Sequence, residues 1–277
     1  MSTINSQNNH VSAALTALAI LALVPFLFAA TLAAQPNAGA PTAVNPPVSS
    51  SQIPIGTILP IRLNRGFSAK NVHVGMLITG RIMQAVPLPN GSTIPEGATV
   101  FGKILSVAPG TAGTGETVSF VFDQLAFDHQ KFAIAVDLRA LASAMTVELA
   151  QIPDQATGFG TPGPWADRTQ IGGDAVYGVG GEVTDSENHP VGKALYTGVL
   201  VHVRTQPGSP CRGALDGDDR LQAMWVFSSD ACGVYGMEGV SITHAGRSDP
   251  LGVVILAAPI GKLKVRSGSG MLLRVLP

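Results

Sequence analysis

From residue 53 onward the chain alternates apolar and polar positions in short runs separated by Gly, Pro, Asn and Asp, the pattern of β-strands joined by tight turns. Val118, Phe120 and Phe122 share one face at period two, while Ser119 and Val121 share the other. Leu200, His202 and Arg204 stand against Val199, Val201 and Val203 in the same way, as in a strand with one buried side. Further strands are predicted in IPIGTILPIRL (53–63), MLITGRIMQAVPL (76–88), ATVFGKILSV (98–107), ETVSFVFDQLAF (116–127) and KFAIAV (131–136), and five more follow between 175 and 258. Asn90-Gly91 predicts a type I′ hairpin turn, and Asp128-His129 reads as a polar turn between two strands. The stretch 138–149 has helical propensity in LRALASAM but follows a strand with no evident cap, and is read as extended. Residues 153–173, rich in Gly and Pro, read as an irregular loop.

Short strands at this spacing predict an all-β protein, an antiparallel barrel or sandwich. The expected organisation is a barrel portion at 53–152, the loop at 153–173, and a second β portion at 174–277 whose last strands can complete the barrel. Ahead of these, 11–34 is an almost uninterrupted apolar run broken by Pro25, and 35–52 is an uncharged, Pro-, Ala- and Ser-rich linker that buries too little to offset chain entropy. Residues 1–34 are either a signal peptide, with small residues at Thr31, Ala33 and Ala34 for cleavage, or a membrane anchor of spanning length. Either reading exports the remainder, to the periplasm, cell envelope or exterior. Membrane contact is expected only through 11–34, if the run is retained.

Composition narrows the role. Charged residues are 13% of the chain, against about 25% in typical domains, and Gly (32) and Pro (20) favour strands and turns. A net charge of -1 with no basic run speaks against nucleic acid as a partner. A surface short of charge is instead prone to self-association or to binding envelope proteins.

The densest chemistry lies at CRGALDGDDRLQAMWVFSSDACGVY (211–235). In an exported chain, two cysteines predict a disulfide, Cys211 to Cys232, stabilising by about 3 kcal/mol through loop closure. Within the loop Asp216, Asp218 and Asp219 offer oxygen ligands that calcium could use. The EF-hand pattern fails, however, because Gly follows Asp216 directly and Phe227 occupies the position of the bidentate Glu. The plainer reading is a solvated acidic turn, so no metal or other cofactor is expected. Trp225 belongs to the apolar run AMWVF and reads as core. Ser241, His244 and Asp249 are the residue types of a catalytic triad, but no nucleophile elbow accompanies them. Gly158, Gly160 and Gly163 match a dinucleotide fingerprint literally, yet Pro164 and the missing βαβ context remove that reading. No catalytic activity is inferred.

IPIGTILPIRL (53–63), IPEGATVFGKI (94–104) and TVSFVFDQLAFDHQKFAI (117–134) resemble the repeated phrases of the periplasmic β-barrel domain of TrbI-like proteins, scaffold and pore components of type IV secretion and conjugation systems. KLKVRSGSGMLLRV (262–275) is similar to that domain's last strands, and the leader with its Pro-rich spacer resembles the family's layout. The family's charged cytoplasmic head, longer spacer and helical pore-forming pair are not visible, so the resemblance carries the fold further than the secretion function. The second half resembles uncharacterised exported bacterial proteins. The expected role is that of an exported bacterial envelope protein with a structural or binding function. The alternative is a secreted ligand- or carbohydrate-binding module, stabilised by calcium at the Asp216 loop.

Overall fold

The computed structural model describes residues 53–111, 114–152, 168–205, 211, 220–243 and 250–277, all within one compact unit, Ser49–Pro277. The predicted leader and linker lie outside the described residues. In chain order the strands are β1 Ile58–Leu63, β2 Phe67–Ser68, β3 Leu77–Ile82, β4 Val86–Pro87, β5 Thr93–Ile94, β6 Thr99–Ala108, β7 Glu116–Phe127, β8 Gln130–Ala133 and β9 Val136–Ala142. The one helix among the described residues, α1 Ala144–Leu149, follows. Then come β10 Arg168–Thr169, β11 Ala175–Val176, β12 Glu182–Thr184, β13 Pro190–Leu195, β14 Gly198–His202 and β15 Leu221–Ala223. The last are β16 Gly233–Tyr235, β17 Ser241–Thr243, β18 Val254–Ala258, β19 Lys264–Val265 and β20 Gly270–Val275.

The fold is all-β, as the alternation predicts. One sheet runs β16-β9-β20-β1-β3-β6-β7-β18-β17, with β8 paired to β7. Its end strands β16 and β17 are joined by a short turn and touch, so the sheet curls into a nearly closed barrel. All its pairings are antiparallel except that of β16 with β9. The C-terminal strand lies between β9 and β1, with Ile58 opposite Arg274 and Arg62 opposite Gly270, so both halves of the chain build the barrel. Two register shifts on β6 bend the wall. At one of them a Cβ on Gly102 would overlap the Val121 carbonyl oxygen, so only glycine fits.

The barrel is filled by inward residues of every long strand, including Leu59, Ile61, Ile82, Ile104, Phe120 and Leu273. Phe67, Phe120 and Phe122 stack edge to face, with centroids 5.6 and 5.7 Å apart. A second sheet, β10-β11-β12-β13-β14-β15, contributes to a separate core. Its Val183, Val199 and Val201 join Trp225 and Phe227 against Ile58, Ala140, Ala142 and Leu272, which point outward from the barrel. The strands β1, β9 and β20 are therefore covered on both faces. Such strands read as apolar runs rather than alternations, and β9 is buried at all seven positions whereas β3 alternates.

Local readings are refined in two places. The stretch 138–149 is not extended throughout, because α1 takes its last six residues, and Ser143 is the cap, its hydroxyl accepting from the Thr146 amide at 3.1 Å. The Asn90-Gly91 hairpin forms between β4 and β5, but only Gly91 has positive φ (+80°). The Gly91 amide donates to the Leu88 carbonyl, which makes it a three-residue loop closed by a glycine bulge rather than type I′. The two-residue type I′ geometry occurs instead at Asp128 and His129, with φ of 49° and 59°.

Candidate functional site

Cys211 and Cys232 are joined in a disulfide with their Cα atoms 5.8 Å apart. The staple sits on the barrel wall at Arg139, the extra residue where the β9–β20 register shifts. The buried Arg139 guanidinium donates to the Ala231 carbonyl (2.9 Å) and the Arg204 carbonyl (2.7 Å), fixing the chain on both approaches to the cysteines. The Cys232 amide donates to the Tyr235 hydroxyl at 3.0 Å, and burial raises that phenol's pKa.

Asp216, Asp218, Asp219, His244 and Asp249 lie outside the described residues, as do Gly158, Gly160 and Gly163. Ser241 is exposed on β17 and donates to the Ala257 carbonyl across the strand pair. Trp225, only 3% exposed and with φ of 53°, is core and offers no open face for stacking a ligand. Among the described residues no group of three or more His, Cys, Asp or Glu side chains is placed to hold a metal ion.

The buried acids serve the fold. Asp137 pairs with Arg274 across β9 and β20 at 2.8 Å, and burial, opposed by that guanidinium, raises its pKa. Asp174 accepts from the Ser229 amide at 2.7 Å and is likewise raised by burial. Asp185 accepts from the Glu187 and His189 amides and pairs with Arg204, whose hydrogen bond is the largest cause lowering its pKa to about 2.

The feature that sequence reading missed is a cationic trough at one end of the barrel. It consists of two adjoining cavities, of about 530 and 360 Å3, with Ser267 on the wall of both. Strand β19 supplies one side. In KLKVR, Leu263 and Val265 turn into the barrel core, so the period-two pleat points Lys262, Lys264 and Arg266 outward together. The other side is Arg62 of β1 and Arg81 of β3, which the antiparallel register sets directly opposite one another. The turn 266–269 separates the two cavities and is pinned there. Its Ser267 hydroxyl donates to the Asn64 carbonyl (2.8 Å), and the Gly268 amide to the Leu63 carbonyl (2.9 Å).

Five cations thus face two carboxylates, Glu148 and Glu238. Of the five, Lys262 is paired, 3.6 Å from Glu238. Arg62, Arg81, Lys264 and Arg266 have no carboxylate of the described residues within 4.0 Å. In a chain of net charge -1 this is a strong local imbalance. Ser269, fully buried beneath the larger cavity, adds a hydroxyl with no hydrogen-bond partner among the described residues. Such a surface attracts anions and can bind them through charge-assisted hydrogen bonds. The KLKVR alternation was a legible signal for three of the cations, whereas Arg62 and Arg81 meet only through sheet pairing. Comparison with known proteins finds no matching family model, no matching curated protein and no matching solved structure.

Proposed function

We propose that this is an exported bacterial envelope protein with a structural and binding role, and that it binds anionic ligands in the cationic trough. The carrying observation is the cluster of Arg62, Arg81, Lys264 and Arg266, lining adjoining cavities with no carboxylate of the described residues within 4.0 Å of any of the four. Two further features support the reading without bearing on the ligand. A nearly closed β scaffold, covered on both faces at β1, β9 and β20, suits a rigid presenting surface, and the Cys211–Cys232 disulfide is compatible with an oxidising compartment. The resemblance of 53–63, 94–104 and 117–134 to the TrbI-like barrel domain points to the same compartment and to assembly with envelope partners.

The test is retention of the purified full chain on immobilised acidic and neutral envelope polymers across a salt series. Retention on acidic polymers that falls steeply with salt, and is weakened by Lys264→Gln with Arg266→Gln, is the expected result. Equal retention on neutral polymers, or none on either, overturns the binding role of the trough. Absence of the protein from envelope fractions of expressing cells overturns the proposed location.

A further inference from the structure

We infer that the Arg62–Arg81 pair is an oxyanion subsite that takes the phosphoryl group of a phosphomonoester; this rests on the binding role proposed for the trough. Like charges directly opposite on neighbouring strands repel one another. Arg62 and Arg81 nevertheless occupy such a pair, with no carboxylate of the described residues within ion-pair distance of either. An anion between them converts that repulsion into two attractions.

The geometry selects the class of anion. Each guanidinium is a planar fork able to donate two parallel hydrogen bonds. One fork satisfies the two oxygens of a carboxylate, leaving the second cation unmatched. A phosphomonoester offers three terminal oxygens and close to two negative charges near neutral pH, which matches two forks and two cations. The adjoining cavity, about 360 Å3, leaves room for the group that bears the phosphate. Neighbouring polar side chains are already engaged, with the Ser267 hydroxyl donating to the Asn64 carbonyl and the Asn64 amide donating to the Thr79 hydroxyl at 3.1 Å. Selectivity is therefore left to the arginines. Gly268 keeps the edge of one fork open. A Cβ there would stand 3.4 and 3.6 Å from Nη2 and Nε of Arg62, and the φ of +87° disfavours any other residue.

The experiment is titration calorimetry of the full chain with inorganic phosphate, glucose 6-phosphate and succinate, and co-sedimentation with phosphatidylcholine vesicles with and without phosphatidic acid. Arg62→Gln and Arg81→Gln should each weaken phosphate binding by roughly ten- to a hundredfold, and the double change should abolish it. Arg62→Lys should also weaken it, since the charge stays but the fork is lost. Lys193→Gln, at an exposed position of β13 outside the trough, should leave it unchanged. Thermal melts verify folding, because removing one of two repelling charges should not lower the unligated melting temperature. Binding of free phosphate and the sugar phosphate supports a soluble or glycan-borne ligand, whereas retention by phosphatidic acid vesicles alone supports a lipid headgroup. Failure of the wild-type chain to bind any of the three phosphate probes overturns the inference, as does succinate binding as tightly as phosphate or insensitivity to the arginine changes. If acidic polymers are still retained through Lys264 and Arg266 in that event, only this subsite fails and the wider binding role stands.

Discussion

Gln84 offers the sharpest test of how the two β layers are held together. It lies just beyond β3, fully buried, and its amide spans the junction between barrel and second sheet. Nε2 donates to the Val199 carbonyl at 2.8 Å, and Oε1 accepts from the Trp225 amide at 2.7 Å. The Trp225 backbone sits at positive φ, where a bulky residue persists only if its surroundings hold it, and Gln84 is one such restraint. Gln84→Met keeps the volume approximately but removes both bonds, leaving the Trp225 amide without its partner while the Val199 carbonyl keeps the Met224 amide at 3.1 Å. The orphaned buried donor costs about 1–3 kcal/mol and the lost second bond at the carbonyl about 0.5–1.5 kcal/mol, so the change should destabilise by roughly 1.5–4 kcal/mol. In a domain of this size that lowers the melting temperature by roughly 5–15 °C. Urea unfolding followed by far-UV circular dichroism measures the loss, and hydrogen exchange at the Trp225 amide tests its origin. A loss under about 0.5 kcal/mol, or unchanged protection of that amide, would falsify the clamp, since a buried donor cannot lose its partner so cheaply.

Other expectations concern pH, the staple and the barrel wall. Asp185, held at about 2 by Arg204, contributes stability that is complete above its ordinary value of 3.8 and is lost as pH falls toward 2. Asp185→Asn should therefore flatten the acid limb of a stability profile measured by urea melts. Asp174 has the opposite sign, because burial raises its pKa and stability falls as pH rises from 3.8 through the raised value. Asp174→Asn should consequently appear more favourable at pH 7 than at pH 3.5, and an equal effect at both refutes the assignment. Reduction of Cys211–Cys232, or replacement of both cysteines by serine, should cost about 3 kcal/mol in equilibrium unfolding, with the barrel retained by far-UV circular dichroism. Gly102→Ala should destabilise by about 1–3 kcal/mol, since its Cβ collides with backbone rather than a movable side chain; a neutral melt would show that the bulge can slide.

Strand content, most turns and the disulfide were legible because they rest on local rules: period-two alternation, glycine and asparagine in turns, and an even cysteine count. The helix after β9 was missed because Ser143 resembles any other serine until the chain turns there and its hydroxyl meets the Thr146 amide. The identity of the site was illegible for a different reason. In sequence Arg62 and Arg81 are scattered cations, nineteen positions apart, and no local pattern says they will face each other.

By itself the chain determined that it forms β-strands, which faces of several strands are apolar, and that Lys262, Lys264 and Arg266 share a face. Tertiary structure alone decided that the last strand enters between β9 and β1 and that those three strands are buried on both sides. It also decided that two arginines meet across a pair of strands beside the β19 cations. The division follows from physics: alternation and turn preference act within a few residues, whereas register and layer packing are set by contacts between segments far apart in the chain, which no short window of sequence contains.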